Sequence, residues 1–136
     1  DGGAHVGMIR DGSFPTSLLT HWTRDRVRGP KLSVEAAVRM QAADTAALIG
    51  LHDRGRIAVG LRADINIIDY DNLRLHPPEV VYDLPAGGRR LVQRASGYVA
   101  TLVAGEITYR DGEPTGALPG RLVRGAQAPP MAVAAE

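Results

Sequence analysis

The first residues of the chain place a carboxylate and an imidazole in one glycine-rich loop. Asp1 is followed by Gly2 and Gly3, and His5 comes two residues after this glycine pair. A carboxylate within hydrogen-bond reach of a reacting group can take up a proton and return it. An Asp before two glycines is otherwise a turn residue, since its side chain bonds nearby backbone. Asp1 is therefore a candidate catalytic residue, and His5 is a candidate substrate-binding residue or one that orders the loop.

The remaining histidines do not form a metal-binding motif. His21, His52 and His76 are far apart and fit no HxH, HExxH or HxxxH pattern. Closely spaced ligands of the kind that hold zinc are therefore missing from this sequence. Asp1 is the only residue that we consider as a candidate metal ligand.

Three other sequence features could suggest a binding or catalytic site, but each is better explained by a structural role. The glycines of residues 2–7 follow no predicted strand and precede no Lys-Ser/Thr pair, so a phosphate-binding loop is disfavoured. The basic stretch 24–31 contains an aspartate and is typical of a solvated helix end. Asp64 and Asp69 lie five residues apart around an aliphatic strand and point to opposite faces, which indicates turn and edge residues.

Composition limits the classes of partner. Apolar residues make up 44% of the 136 residues and aromatic ones 4%, with Trp22, Tyr82, Tyr98 and Tyr109 as the large fillers of an aliphatic core. A net charge of +1 provides no field that would recruit nucleic acid or a membrane surface. The chain has no cysteine and no apolar stretch of about 18 residues. We predict a soluble, cytoplasmic protein without nucleic-acid or membrane partners.

Hydrophobic spacing predicts helices in the first part of the chain. We expect one over residues 16–26, with Leu18, Leu19 and Trp22 on one side, and a clearer one that Ser33 caps. A short third helix is expected to begin at Asp44 as N-cap and to end at Gly50 in a left-handed conformation.

Strand patterns dominate after residue 53. Strands are expected at residues 56–59, 63–69, 80–82, 91–92, 98–103 and 107–110, the last two forming a hairpin across residues 104–105. Residues 73–79, with two consecutive prolines, are expected to form a surface connection. We therefore divide the chain into a helical part, 1–52, a β domain, 53–125, and a mobile tail, 126–136.

Three pieces of the sequence resemble the amidohydrolase superfamily in the expected order. They are residues 1–7 (DGGAHVG), 55–65 (GRIAVGLRADI) and 103–112 (VAGEITYRDG). They are similar to the loop after the eighth barrel strand, the re-entry into the small β domain and its closing hairpin. Residues 83–90 and 115–121 also resemble the D-aminoacylase, or N-acyl-D-amino-acid deacylase, branch. The resemblance covers residues 1 to about 125.

This resemblance implies an α+β fragment: the last loop and helices of a TIM barrel, followed by the C-terminal part of a small β-sandwich. The parent would be a zinc-dependent hydrolase of linear amides that deacylates N-acyl-D-amino acids. In such enzymes the Asp after strand eight receives a proton from the metal-bound water and returns it to the leaving amine, a role that falls on Asp1. We expect the other metal ligands to lie upstream of this chain.

Two consequences are expected for the chain as it stands. A C-terminal fragment lacking the upstream ligands should bind no zinc and should be inactive. The alternative is a non-catalytic scaffold or interaction module derived from an amidohydrolase, which would self-associate through surface that a barrel normally covers. A nucleic-acid-binding barrel is a weaker alternative, because the stacked aromatic residues and basic groove are missing.

Overall fold

The structure is a computed structural model that describes Gly7 and residues 11–130. The helices precede the strands along these residues, apart from a short 3₁₀ helix at Pro85–Gly87, and this confirms a mixed α+β fold. The helices are α1 Phe14–Ser17, continued by a π-helix Leu18–Asp25, then α2 Val34–Gln41 and α3 Ala43–Leu48. The strands are β1 Ile65–Ile68, β2 Arg74–Leu75, β3 Glu79–Leu84, β4 Gly88–Val92, β5 Ala95–Ser96, β6 Tyr98–Val103, β7 Glu106–Arg110 and β8 Glu113–Pro114.

The first helix was expected, but its second half has π geometry. The amide of Arg26 donates to the carbonyl of His21 at 2.9 Å, five residues back, where an α-helix would use the fourth. The helix turns Thr16, Thr20 and Thr23 inwards, so its buried side is largely made of hydroxyl-bearing residues. Buried hydroxyl groups require hydrogen-bond partners. These hydroxyls bond to carbonyl groups of the helix backbone and to tyrosine side chains from other segments.

The start of α2 confirms one cap and the start of α3 corrects another. Ser33 Oγ accepts a hydrogen bond from the amide of Ala36 at 3.1 Å, as an N-cap does. The prediction that Asp44 caps α3 is wrong: the N-cap is Ala42, and Asp44 lies in the first turn. Its carboxylate pairs instead with Arg39 Nε at 2.9 Å. Gly50 has a φ of +75°, which confirms the left-handed end.

The main sheet is antiparallel, with the strand order β1-β6-β7-β8. The predicted hairpin is confirmed, since β6 and β7 pair with Val103 opposite Glu106. Its two turn residues, Ala104 and Gly105, have φ values of +54° and +84°, as a tight hairpin turn requires. Two smaller antiparallel pairs, β2 with β5 and β3 with β4, complete the strands in the described part of the chain.

The predicted strand at residues 56–59 is wrong. This stretch is a turn, in which the amide of Leu61 donates to Ala58 O at 3.2 Å and that of Arg62 to Asp53 O at 2.8 Å. Ile57 and Val59 are 86% and 92% exposed, so the aliphatic pattern does not mark a buried face. With neither a pairing strand nor burial, the β propensity of these residues is not enough to form a strand.

Residues 73–79 were expected to form a surface connection, and Leu73 corrects this. Its side chain is fully buried and packs with Leu19 and Ala37, while Ile68 and Tyr98 pack against this cluster. The helical part and the sheet therefore share a small core.

The expected large fillers are also corrected in part. Tyr98 packs against the core, whereas Trp22, Tyr82 and Tyr109 are exposed. The interior is consequently small and aliphatic.

The described end of the chain crosses the linker between α3 and the sheet. The amide of Gln127 donates to Gly50 O at 2.8 Å, and the amide of His52 donates to Gln127 O at 3.0 Å. Residues 131–136 of the predicted tail lie outside the described residues. The domain boundaries, the assignment of the helices to the end of a TIM barrel and that of the strands to a β-sandwich stay predictions.

Candidate functional site

The two residues that the sequence puts forward as functional, Asp1 and His5, lie outside the described residues. Their catalytic and substrate-binding roles therefore stay predictions. The structure does describe the helix that follows them along the chain, starting with a turn at Asp11–Ser13.

Two hydroxyl pairs fasten this helix to the sheet side of the molecule. Thr16 Oγ1 and Tyr98 OH share a hydrogen bond at 2.7 Å, and Thr23 Oγ1 and Tyr70 OH share one at 2.6 Å. Both threonines are buried. The two contacts lie about two helical turns apart, so they fix the helix in rotation as well as in position.

Arg24 clamps the end of the same helix onto the turn between β1 and β2. Its guanidinium donates to Tyr70 O at 2.5 Å and to Leu73 O at 2.7 Å, and it lies 5.5 Å from the Tyr70 ring centre. It also forms a two-contact pair with Asp25, at 2.7 and 3.2 Å. This hydrogen-bonded pair raises the pKa of Arg24 and lowers that of Asp25. The clamp keeps its charge at any ordinary pH.

The rest of the basic stretch has structural partners as well. The Arg26 guanidinium lies 4.5 Å from the Trp22 ring centre and donates to Arg28 O. Lys31 Nζ donates to Arg24 O. These contacts fit the interpretation of a helix end, and they leave few cations of this stretch free to bind an acidic partner.

A second charge network joins the linker after α3 to the β6–β7 hairpin. Arg54 pairs with both carboxylate oxygens of Asp53, at 2.8 and 2.9 Å, and with Asp64 at 3.2 Å. Asp64 also accepts from Arg62 Nε at 3.0 Å and from the amide of Ala104 at 2.8 Å. The Arg54 hydrogen bonds lower the pKa of Asp53. Asp64 was expected to be a turn residue. Its carboxylate joins Arg54 and Arg62 to the turn of the β6–β7 hairpin.

The described residues do not form a metal centre. No group of three His, Cys, Asp or Glu side chains in this part of the chain could hold a metal ion. His76 Nε2 is bonded to Ser96 Oγ, and Asp69 bonds the side chain of Asn72 at 2.8 Å. A zinc site built from these residues is therefore not supported. Nor does any helix among residues 11–130 have the length and apolar character to cross a membrane.

Two adjoining concave surfaces lie beside the helices, and the smaller one also reaches the sheet. An open groove of about 920 Å³ runs along α2, α3 and residues 51–57, and a cleft of about 360 Å³ lies between the helices and β1. Both are lined by Val38, Gly55, Arg56 and Ile57. The sequence did not reveal either surface, because each is formed by segments that are distant along the chain.

Residues 1–109 of the chain match the sequence profile of the family described as the Amidohydrolase family. The matched region includes Asp1 and His5 and extends to Tyr109 in β7. No curated protein and no solved structure matches the chain.

Proposed function

Because the chain belongs to the amidohydrolase family, we propose that it takes part in the hydrolysis of a linear amide bond, with an N-acyl-D-amino acid as substrate. The observation that carries this proposal is the family match, which begins at Asp1 and continues through the whole helical part. The narrower choice of substrate is supported by the D-aminoacylase-like residues 1–7 and 83–90.

In this proposal Asp1 acts as the acid and base. Its carboxylate takes a proton from the attacking water and then gives it to the leaving amine nitrogen, so one group serves both half-steps. Such a group must be aimed at the scissile bond within about 3 Å. The first helix, which follows Asp1 along the chain, is held to the sheet side through Thr16, Thr23 and Arg24.

If the enzyme uses zinc, its ligands must be residues other than the described ones. The described part offers no three-residue ligand group, so it does not by itself fit a zinc site. Asp1 would be one ligand or a neighbour of the metal, and the remaining ligands would have to come from elsewhere in the parent enzyme. For the 136-residue chain alone we therefore propose neither bound zinc nor hydrolysis.

The second candidate is a scaffold or interaction module. Phe14, Leu18, Trp22 and Met40 line an apolar groove of about 650 Å³ on the side of the helices. No Asp, Glu, Lys or Arg lines this groove, so two copies could face each other there without burying unpaired charges. This observation favours self-association as the behaviour of a chain that has no catalytic partner.

The test uses the complete reading frame that contains these residues. We expect release of free amine from N-acyl-D-amino acids, together with zinc in the purified protein. Asp1→Asn should reduce kcat about 10²–10⁴-fold, because an amide cannot accept the proton. The matched control is Asp111→Asn, which also changes an Asp before a glycine. Its φ of +51° suits Asn, so the rate should be unchanged.

Two outcomes would decide against the proposal. If Asp1→Asn hydrolyses as fast as Asp111→Asn, Asp1 is not the proton-transferring residue. If the complete protein releases no amine and carries no zinc, the scaffold interpretation replaces the enzymatic one. Sedimentation of that protein would then show whether it dimerises, and Met40→Glu in the apolar groove should abolish the dimer.

A further inference from the structure

The cleft between the helices and β1 has apolar walls. These are formed by Leu19 and Val38 on the helical side and by Ile65, Ile68 and Tyr98 on the sheet side. Its volume of about 360 Å³ lies within the range of about 300–1,000 Å³ that small-molecule sites occupy. A space of this size and lining favours an apolar group over water.

Each uncharged polar side chain of the cleft already has a protein partner. Gln41 Nε2 donates to Pro15 O at 2.7 Å, and Asn66 Oδ1 accepts from Thr101 Oγ1 at 2.9 Å. These groups have little need of a ligand, and a ligand chain that passes them leaves their hydrogen bonds intact.

The charged groups of the cleft are Asp64 and Arg56. Asp64 is neutralised by Arg54 and Arg62. Arg56 has no hydrogen bond or ion pair to any described residue, and it lines both the cleft and the open groove. Glu35 lines the open groove and is not part of the cleft. The uncompensated charge of the cleft is therefore a cation at its junction with the groove.

We propose that this cleft binds a linear amphiphile with an anionic head group. The alkyl chain lies between α2 and β1, and the head group pairs with the guanidinium of Arg56, which can offer two parallel donors to a carboxylate. Ile57, which lines both surfaces, covers the part of the chain next to the head group. The site uses neither Asp1 nor a metal, so it is independent of the proposed amide hydrolysis.

Titration calorimetry of the 136-residue chain tests the head-group contact, with decanoate as the probe. Decanol has the same chain without the charge, and acetate has the charge without the chain. We expect saturable one-site binding of decanoate, weaker binding of decanol and none of acetate. Arg56→Gln should weaken decanoate binding two- to fivefold, as expected for a solvent-accessible ion pair, and leave decanol unchanged. Arg121→Gln, at an exposed arginine outside the cleft, should bind like the wild type.

A second pair of variants tests the apolar wall. Ile57→Asp should weaken decanoate and decanol at least fivefold, because the alkyl chain would lie against a charge. Val59→Asp changes a side chain of similar exposure that lines neither surface, and it should have no effect. Ile57→Ala replaces Ile57→Asp if circular dichroism shows loss of fold. The proposal is overturned if decanoate does not bind saturably, if Arg56→Gln binds it as the wild type does, or if the two Asp variants behave alike.

Discussion

Replacement of Leu73 by Ala tests whether the helices and the sheet form one cooperative unit. Leu73 is fully buried and joins Leu19 of the helical part to residues packed from the sheet side. Loss of a buried leucine side chain costs about 2–5 kcal/mol of unfolding free energy, because apolar contacts are lost and a cavity remains. With a urea m-value of about 1.5 kcal/mol/M, the midpoint should fall by about 1–3 M. Leu118→Ala, at a residue 94% exposed, should shift it by less than about 0.3 M.

The assay follows urea unfolding by circular dichroism and by hydrogen exchange at amides of α2 and β6. If one core joins the two parts, Leu73→Ala should lower the protection of both elements by the same free energy. The reasoning is refuted if Leu73→Ala behaves like Leu118→Ala. Loss of protection in β6 alone would mean that residues 1–52 and 53–125 unfold separately, as the predicted domain division would have it.

Two further predictions concern the backbone and the charges. Gly97→Ala should lower the unfolding free energy by more than about 2 kcal/mol, because a Cβ there would lie 2.6 Å from Leu73 Cα at a φ of +99°. Gly116 has a similar φ of +88°, but a Cβ there would have no atom within 4 Å, so Gly116→Ala should show the cost of backbone strain alone. If urea unfolding gives the same loss of unfolding free energy for both variants, the clash with Leu73 is excluded. The hydrogen-bonded arginine partners keep the pKa of Asp53 and of Asp83 below the ordinary 3.8. Their contribution to stability is therefore present above the unfolded pKa and lost as pH falls through the folded value, so the urea midpoint should fall below about pH 4. Asp83→Asn should flatten this fall, and an unchanged pH profile would contradict the assignment.

Local sequence signals predicted those parts of the fold that depend on short-range geometry. Ser33 caps α2 and residues 104–105 turn the hairpin, since capping and tight turns need particular residues at fixed places. Residues 56–59 have the composition of a strand without a partner, and only the tertiary structure shows that none is present. Asp44 shows the same limit of local patterns: it was predicted to cap α3, but its carboxylate pairs with Arg39 instead.

The contacts that hold candidate functional segments were beyond the reach of sequence patterns. Arg24 was assigned to a solvated helix end, yet it donates to carbonyls about 46 to 49 residues further along the chain. Nothing in the spacing of the basic stretch distinguishes Arg24 from Arg28. Asp1 was proposed as a catalytic residue from a family motif, and this role stays a prediction because Asp1 lies outside the described residues. Long-range polar contacts have no such motif in a single sequence.

Polar contacts between the described residues set the orientation of the first helix relative to the sheet. The threonine–tyrosine pairs and the Arg24 clamp join the first helix to the sheet, and the Arg54 network joins the linker to the hairpin. The threonine–tyrosine pairs and the Arg24 contacts join distant parts of the chain beside a small aliphatic core that by itself would specify orientation weakly. Directional hydrogen bonds define the angle of a helix better than a few leucine contacts do.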